Sequence, residues 1–275
     1  MRIDIKKIQF DDVTYDDIES IRDLQPEGWS DITEAFKYYI AYEFCQPIKV
    51  VTDDKIIGVG TSIMFENTGW LAHIIVHKDY RNKGIGYKIV ENLLNHLLSK
   101  SISSVLLIAT ELGEPVYKKA GFRVISDYIF LKSDQPWREN STSKNIMPFR
   151  VNYYADIIKL DKRISGENRE SLIEKHLDNS LMYLDNEGLT GFYLPNLGEG
   201  LIIADNSLAG IELMKAKYSK KADKAVIPSE NQIGLDFLKK NGFVLSETKG
   251  KRMILGKDID WKPECIFSRI GGNYG

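Results

Sequence analysis

A loop with two glycines one residue apart, Arg81-Asn82-Lys83-Gly84-Ile85-Gly86, opens straight into a helical repeat. This junction constrains the fold more than any other stretch of the chain. Ahead of it, Trp70-Leu71-Ala72-His73-Ile74-Ile75-Val76 reads as a buried strand. Behind it, Ile85, Ile89, Leu93 and Leu97 recur every fourth residue, joined by Val90, Leu94 and Leu98, which predicts an amphipathic helix. Further strands are predicted before the junction, at Ile56–Gly60 and Ile63–Phe65, and after it, at Val105–Ala109 and Ile125–Leu131. A short helix near Pro115–Ala120 is stopped by Gly121. Strand, glycine loop, helix, strand is the grammar of an α/β fold.

The loop itself has two readings. Glycines let the backbone approach a ligand closely. A helix N-terminus turns unpaired N–H groups and the positive dipole end toward whatever sits there, and Arg81 and Lys83 add charge. The sum is a pyrophosphate cradle; the plainer alternative is a tight turn with no ligand. The second glycine is not followed by Lys-Ser or Lys-Thr, so the loop is no P-loop, and it lacks the third glycine of a dinucleotide fingerprint.

Composition excludes several classes. With 37 Lys plus Arg against 39 Asp plus Glu, the formal charge is -2, and no global field draws the chain to nucleic acid or an anionic membrane. The longest clean apolar run, Val105–Ala109, is far short of a membrane span. Met1 to Lys7 has no long apolar core, so no secretory signal is expected there. Two cysteines, Cys45 and Cys265, make no disulfide framework, and a reducing cytoplasm is the expected home. No metal is expected: His73 and His77 stand four apart on a predicted strand, which separates them widely.

Val76-His77-Lys78-Asp79-Tyr80-Arg81-Asn82-Lys83-Gly84-Ile85-Gly86 resembles the acyl-CoA motif of the GNAT superfamily of N-acetyltransferases. A second segment, Ala109-Thr110-Glu111-Leu112-Gly113-Glu114-Pro115-Val116-Tyr117-Lys118-Lys119-Ala120-Gly121-Phe122, resembles the signature of a GNAT subgroup with tandem GNAT-like domains. The resemblance covers Ile3 to about Lys132 and implies a set of roles. The backbone of Ile74, Ile75 and Val76 would pair with the pantetheine arm of acetyl-CoA. Arg81 and the amides of Asn82, Lys83, Gly84, Ile85 and Gly86 would hold its pyrophosphate. At the position of Glu111 many members carry an Asn that helps hold CoA, so here Thr110 or Glu111 would have to serve. Tyr117 takes the place of the general acid that protonates the leaving thiolate; its plainer reading is a core aromatic on a short helix. For a general base the candidates are His73, Glu66, Glu43 and Glu27. His73 titrates in a useful range but is equally readable as a packed, hydrogen-bonded residue, and a water chain serves as well. Glu27 and Trp29, in the turn Leu24–Asp31, would meet the acceptor amine, or else the turn is a helix entry capped by Ser30 or Asp31.

The expected domains are a catalytic GNAT domain over 1–133, a linker over 134–148 and a degenerate GNAT-like domain over 149–275. The second copy is read from echoes of the first. Phe237-Leu238-Lys239-Lys240-Asn241-Gly242-Phe243 matches Val116–Phe122, and Asp185–Gly191 matches Asp53–Gly58. Aligning Phe243 with Phe122 puts Leu238 where Tyr117 stands, and no Gly-x-Gly follows Leu201–Asp205, so the second copy has lost the chemistry. The resemblance implies that this domain completes the acceptor site between the domains. There Arg169 or Asp161 meets substrate, or else they form a surface ion pair or a helix cap. The expected function is acetyl transfer from acetyl-CoA to a primary amine of a small molecule or amino acid by direct attack, in a monomer or homodimer. The alternative is a CoA-binding, metabolite-sensing module without catalysis.

Overall fold

The computed structural model describes residues 8–134, 143–219 and 224–275. In chain order its strands are β1 (Gln9–Asp12), β2 (Cys45–Thr52), β3 (Lys55–Phe65), β4 (Thr68–Val76), β5 (Ser104–Ala109), β6 (Arg123–Lys132), β7 (Ile146–Pro148), β8 (Leu181–Asp185), β9 (Gly188–Leu194), β10 (Leu201–Ala204), β11 (Lys224–Pro228), β12 (Val244–Gly256) and β13 (Ile266–Ser268). The helices are α1 (Ile18–Ile21), α2 (Ile32–Ala41), α3 (Ile85–Ser99), α4 (Glu114–Lys119), α5 (Tyr154–Ser165), α6 (Glu170–Ile173), α7 (Ser207–Tyr218) and α8 (Gln232–Lys240). This is a mixed α/β chain, and the element order β-β-β-α-β-α-β occurs twice, from β2 to β6 and from β8 to β12.

The chain divides into two compact units. Among the described residues, the first comprises 8–107, 112–123 and 254–257. It holds β1 to β4 as antiparallel neighbours, with β5 parallel to β4. Its core forms as α3 packs on β3. Ile85, Ile89, Val90, Leu93 and Leu97 are all buried, as the fourfold repeat predicts. The approach is close because β3 offers no side chain at Gly60, where a Cβ would stand 2.6 Å from a methyl of Ile89. On sheet positions flanked by glycine, the helix rests on backbone, and large-to-small packing replaces a bulkier interdigitation.

The second unit comprises 108–111, the described residues of 124–253, and 258–275. The boundary expected from the sequence lies at 133/134. Residues Val124–Lys132 pack with the second unit because β6 pairs antiparallel with β11, from Tyr128↔Pro228 to Lys132↔Lys224. The expected linker 134–148 is also shorter at its far end: Ile146–Pro148 is strand β7, paired with β8. Its middle, 135–142, lies outside the described residues. β7 to β10 and β13 form a five-stranded sheet in the order β13-β10-β9-β8-β7. Its core gathers Ile202, Leu213, Met214, Ile227, Leu238 and Phe267.

The echo between the two halves extends to hydrogen bonds. After α4, Phe122 N–H donates to the Tyr117 carbonyl at 3.0 Å, with Gly121 at φ +95°. After α8, Phe243 N–H donates to the Leu238 carbonyl at 3.1 Å, with Gly242 at φ +86°. The two turns are the same left-handed helix stop, and they set Leu238 at the position of Tyr117.

Candidate active site

The site grows from the end of β4. β3 and β4 pair regularly except at one place, where Val59 faces Ile75 and Thr61 faces Ala72, so Gly60 alone opposes His73 and Ile74. This is a β-bulge, and His73 takes a left-handed backbone at φ +47° to make it. Pairing of β4 with β5 is confined to Thr68–Trp70 with Ser104–Leu106, and β4 runs six residues further to Val76. Along those residues the hydrogen-bonding edge alternates. His77 N–H donates to Ile57 on β3, so Ile75 also serves β3 while Ile74 and Val76 turn to the opposite edge. Of the three residues expected to pair with a pantetheine arm, Ile74 and Val76 therefore face away from β3 and Ile75 faces it. The Val76 carbonyl accepts from Arg81 Nε at 3.1 Å, which draws the arginine back across the loop.

Arg81 to Gly86 then delivers α3. Asn82 sits at φ +59° and Gly84, the N-cap, at φ +79°. No side chain caps this 15-residue helix, and its first turn carries no acidic residue, so its leading amides face open space with the dipole behind them. A Cβ on Gly84 would meet nothing within 4 Å, and one on Gly86 only a Val76 methyl at 3.8 Å. Lys83 Nζ donates to the Asp79 carbonyl at 2.8 Å and lies over the Tyr80 ring. An uncapped N-terminus with two cations in the loop that precedes it fits a pyrophosphate. The start of α7 in the second unit is built oppositely. At α7 the side chain of Asn206 accepts from Ala209 N–H at 2.9 Å, and the preceding Asp205 is held by Arg163. That helix end is capped and carries a carboxylate, which repels an anion.

Tyr117 is on α4, in the first unit, with its ring edge to Phe122 at 6.1 Å. Burial pushes its phenol up to about 12, so it stays protonated across the whole physiological range. Thr110, exposed at the end of β5, belongs to the segment 108–111 that packs with the second unit. Its neighbour Glu111 is ion-paired with Lys249 at 3.3 Å in that same unit.

The turn Leu24–Asp31 is folded around Gln25, a residue with no functional signature in the sequence. Its amide donates to the carbonyls of Trp29 (3.1 Å) and Ser30 (3.0 Å), and its side-chain oxygen accepts from Ile32 N–H at 3.0 Å. Of the two expected caps, Asp31 is the one used, accepting from Thr33 N–H at 2.9 Å. Trp29 is 44% exposed and stands edge-on to the His73 ring at 5.9 Å, so the structure brings these two predicted residues together. Phe36 and Tyr39 of α2 close the inner side of the same imidazole, at 6.0 and 5.6 Å between centroids. Burial lowers the pKa of His73 to about 4, which leaves it neutral at pH 7. The other base candidates, Glu27, Glu43 and Glu66, are exposed.

Asp161 and Arg169 prove not to be surface residues, and although Arg169 stands at the N-cap of α6, its side chain does not cap that helix. They form a buried two-pronged ion pair inside the second unit. Among the described residues no group of three or more His, Cys, Asp or Glu side chains is arranged to hold a metal ion, and no helix is long and apolar enough to cross a membrane.

These features agree with what the chain is similar to. Residues 12–131 match the model of the acetyltransferase (GNAT) domain family. Over that segment the chain is similar to a GNAT acetyltransferase domain. The uncharacterized N-acetyltransferase YjcF of Bacillus subtilis (strain 168) is 34% identical over 89 residues, 32% of this chain, and the chain spans 64% of the length of YjcF. The uncharacterized N-acetyltransferase YitH of the same organism is 26% identical over 206 residues, covering 70% of this chain and 72% of that protein. A solved structure from Pyrococcus horikoshii superposes with a TM-score of 0.82 at 19% identity, over 100% of this chain and 98% of the other, a likeness of fold. The GNAT match ends at residue 131, so the second half of the chain is described by its own geometry.

Proposed function

We propose that the chain is an acetyl-CoA-dependent N-acetyltransferase acting on a primary amine of a small molecule or amino acid by direct attack. The observation that carries this is the contrast between two equivalent helix ends. α3 opens on an uncapped, glycine-lined loop with Arg81 and Lys83 beside it, whereas α7 is capped by its own Asn206. Packing requires a helix start in both places but an open one in neither.

Acetyl-CoA supplies the acetyl group as an activated thioester. The amides from Asn82 to Gly86 bind its pyrophosphate, with Arg81 and Lys83 adding charge, and Ile74 and Val76 offer a strand edge to the pantetheine arm. Thr110 is assigned a further contact to CoA. Glu27 and Trp29 receive the acceptor, and His73 is the polar group at the foot of that region. As the C–N bond forms and the C–S bond breaks, Tyr117 gives its phenolic proton to the departing sulfur and is reprotonated from water. Such a donor is worth most when the group it protonates would otherwise leave as a bare anion in a dry site. The second unit is read as a degenerate GNAT-like copy that keeps the helix stop after α8 but has Leu238 for Tyr117. The setting is cytoplasmic.

The test is thiol release from acetyl-CoA against a panel of small amines. Release that depends on one amine and is lost in Tyr117→Phe supports the transferase. A chain that CoA protects against heat but that turns over no amine would favour a sensing module instead.

A further inference from the structure

The Tyr39 hydroxyl and His73 Nδ1 lie 2.7 Å apart, so one hydrogen sits between them. Two arrangements satisfy that distance. Either imidazole Nδ1–H donates to the phenol oxygen, leaving Nε2 with a lone pair, or the phenol donates to Nδ1 and Nε2 carries the hydrogen. Only the first makes His73 a base at its outer nitrogen.

The chemistry of the two groups decides between them. An imidazole nitrogen ordinarily holds a proton up to a pKa near 6.5, whereas a phenol releases its own near 10. The nitrogen is therefore the better acceptor and the phenol the better donor. Tyr39 is 1% exposed, so bulk water does not compete for its hydroxyl. Phe36 packs against both rings, edge-on to Tyr39 at 5.6 Å and to His73 at 6.0 Å, which holds the pair in register. The left-handed backbone of His73 adds to this: a non-glycine residue keeps φ +47° when its surroundings fix it there, and the hydrogen bond from α2 is such a constraint.

We infer that Tyr39 donates its phenolic hydrogen to His73 Nδ1, which fixes the other hydrogen on Nε2 and makes His73 a neutral hydrogen-bond donor in the acyl-transfer site and not its base. The catalytic half of this rests on the transferase reading above. Nε2–H holds an oxygen of a bound substrate. The proton that the attacking amine loses goes to water, and Tyr39 is the positioning residue that enforces the division of labour.

The experiment uses the full chain with its histidines labelled with nitrogen-15. His73→Gln assigns the ring by the disappearance of its signals. At neutral pH the correlation spectrum of the wild type should show a bare, pyridine-like Nδ1 and a hydrogen-bearing Nε2. In Tyr39→Phe, which keeps the ring and removes only the hydroxyl, the Nδ1 signal should move. The kcat for the amine found in the thiol-release assay should fall about tenfold, as when the partner orienting a functional imidazole is removed, with KM for acetyl-CoA unchanged within about twofold. A hydrogen on Nδ1 in the wild type overturns the inference, and so do identical ring signals in the two proteins. The spectrum needs no turnover. A ring of the expected form in a protein that acetylates nothing would overturn the transferase reading and, with it, the catalytic role of His73.

Discussion

Arg169 reaches both carboxylate oxygens of Asp161, at 3.1 Å from Nε and 2.6 Å from Nη2, with both side chains almost wholly excluded from solvent. Arg169 also donates from Nη1 to the Tyr274 carbonyl at 3.5 Å. A buried pair of this kind contributes little over an apolar pair of the same shape, because both ions lost their water on folding. Removing one partner is a different matter, since the other stays behind unpaired. Arg169→Ala should therefore destabilise the chain by about 3–5 kcal/mol. The double change Arg169→Met with Asp161→Leu should recover most of that loss. Urea midpoints of the single and double variants measure it, and equal losses in both would show that the pair's charge is not what matters.

A half-buried anion, Glu199, gives the fold a pH dependence at the acid end. Burial alone would raise the pKa of Glu199, but two hydrogen bonds from Arg269 at 2.9 Å, together with Lys224 at 2.7 Å, bring it down to about 2. The folded value lies below the ordinary 4.5, so the contribution is complete above about pH 4.5 and is lost as pH falls from there toward 2. Its size is of order 3 kcal/mol, at 1.36 kcal/mol per unit. Glu199→Gln should flatten this part of the curve. The quantity to measure is the difference in unfolding free energy between wild type and variant from pH 2 to pH 7; a difference that does not shrink on acidification refutes the assignment.

The parts of this molecule that the sequence makes legible are local. The Arg81–Gly86 junction, the Ile85–Leu97 stripe and the two Gly-Phe helix stops are each set within a few residues, by periodicity, by a left-handed glycine or by a cap. The parts it hides are partners. Periodicity says which face of a strand is buried and not which strand lies beside it; β11, nearly a hundred residues on, is what Tyr128–Lys132 pairs with. The site shows the same limit. The sequence marks His73 and Trp29, yet Tyr39, which supplies the hydrogen bond that determines what His73 can do, reads there as one more apolar position of α2. Arg169 and Asp161 likewise look like surface charges until the fold closes over them.

The loop reading predicts a separation of stability from binding at Gly84. Its φ of +79° costs an L-residue about 1–2 kcal/mol, and a Cβ there would meet no other atom. Gly84→Glu should therefore fold, while placing a carboxylate at the mouth of the α3 N-terminus. With free CoA at about 100 times its Kd, the wild type should gain about 2.7 kcal/mol. The variant should gain almost nothing at the same concentration. Thermal unfolding with and without CoA reads both effects, and equal protection of the two proteins would remove the loop from the binding site.

Tyr117 is where acid chemistry and fold are most easily told apart. The phenol is raised to about 12 by burial, so the acid form persists far above neutrality and its own ionisation lies beyond any practical assay. A rise of kcat/KM with pH should then follow the amine acceptor, which must be neutral to attack, and no fall from loss of the acid should appear below about pH 10. Tyr117→Phe keeps the ring that packs edge-on against Phe122 and loses only the hydroxyl. The midpoint of thermal unfolding should hardly move, while kcat falls by about 10²–10⁴, the range for removing a positioned general acid. The loss should be largest for acetyl-CoA itself and smaller for an acyl donor whose leaving thiol is more acidic, since a good leaving group needs less help from a proton. Steady-state rates with two donors of different thiol acidity measure this directly; an equal loss for both would mean that Tyr117 holds the cosubstrate and does not protonate it.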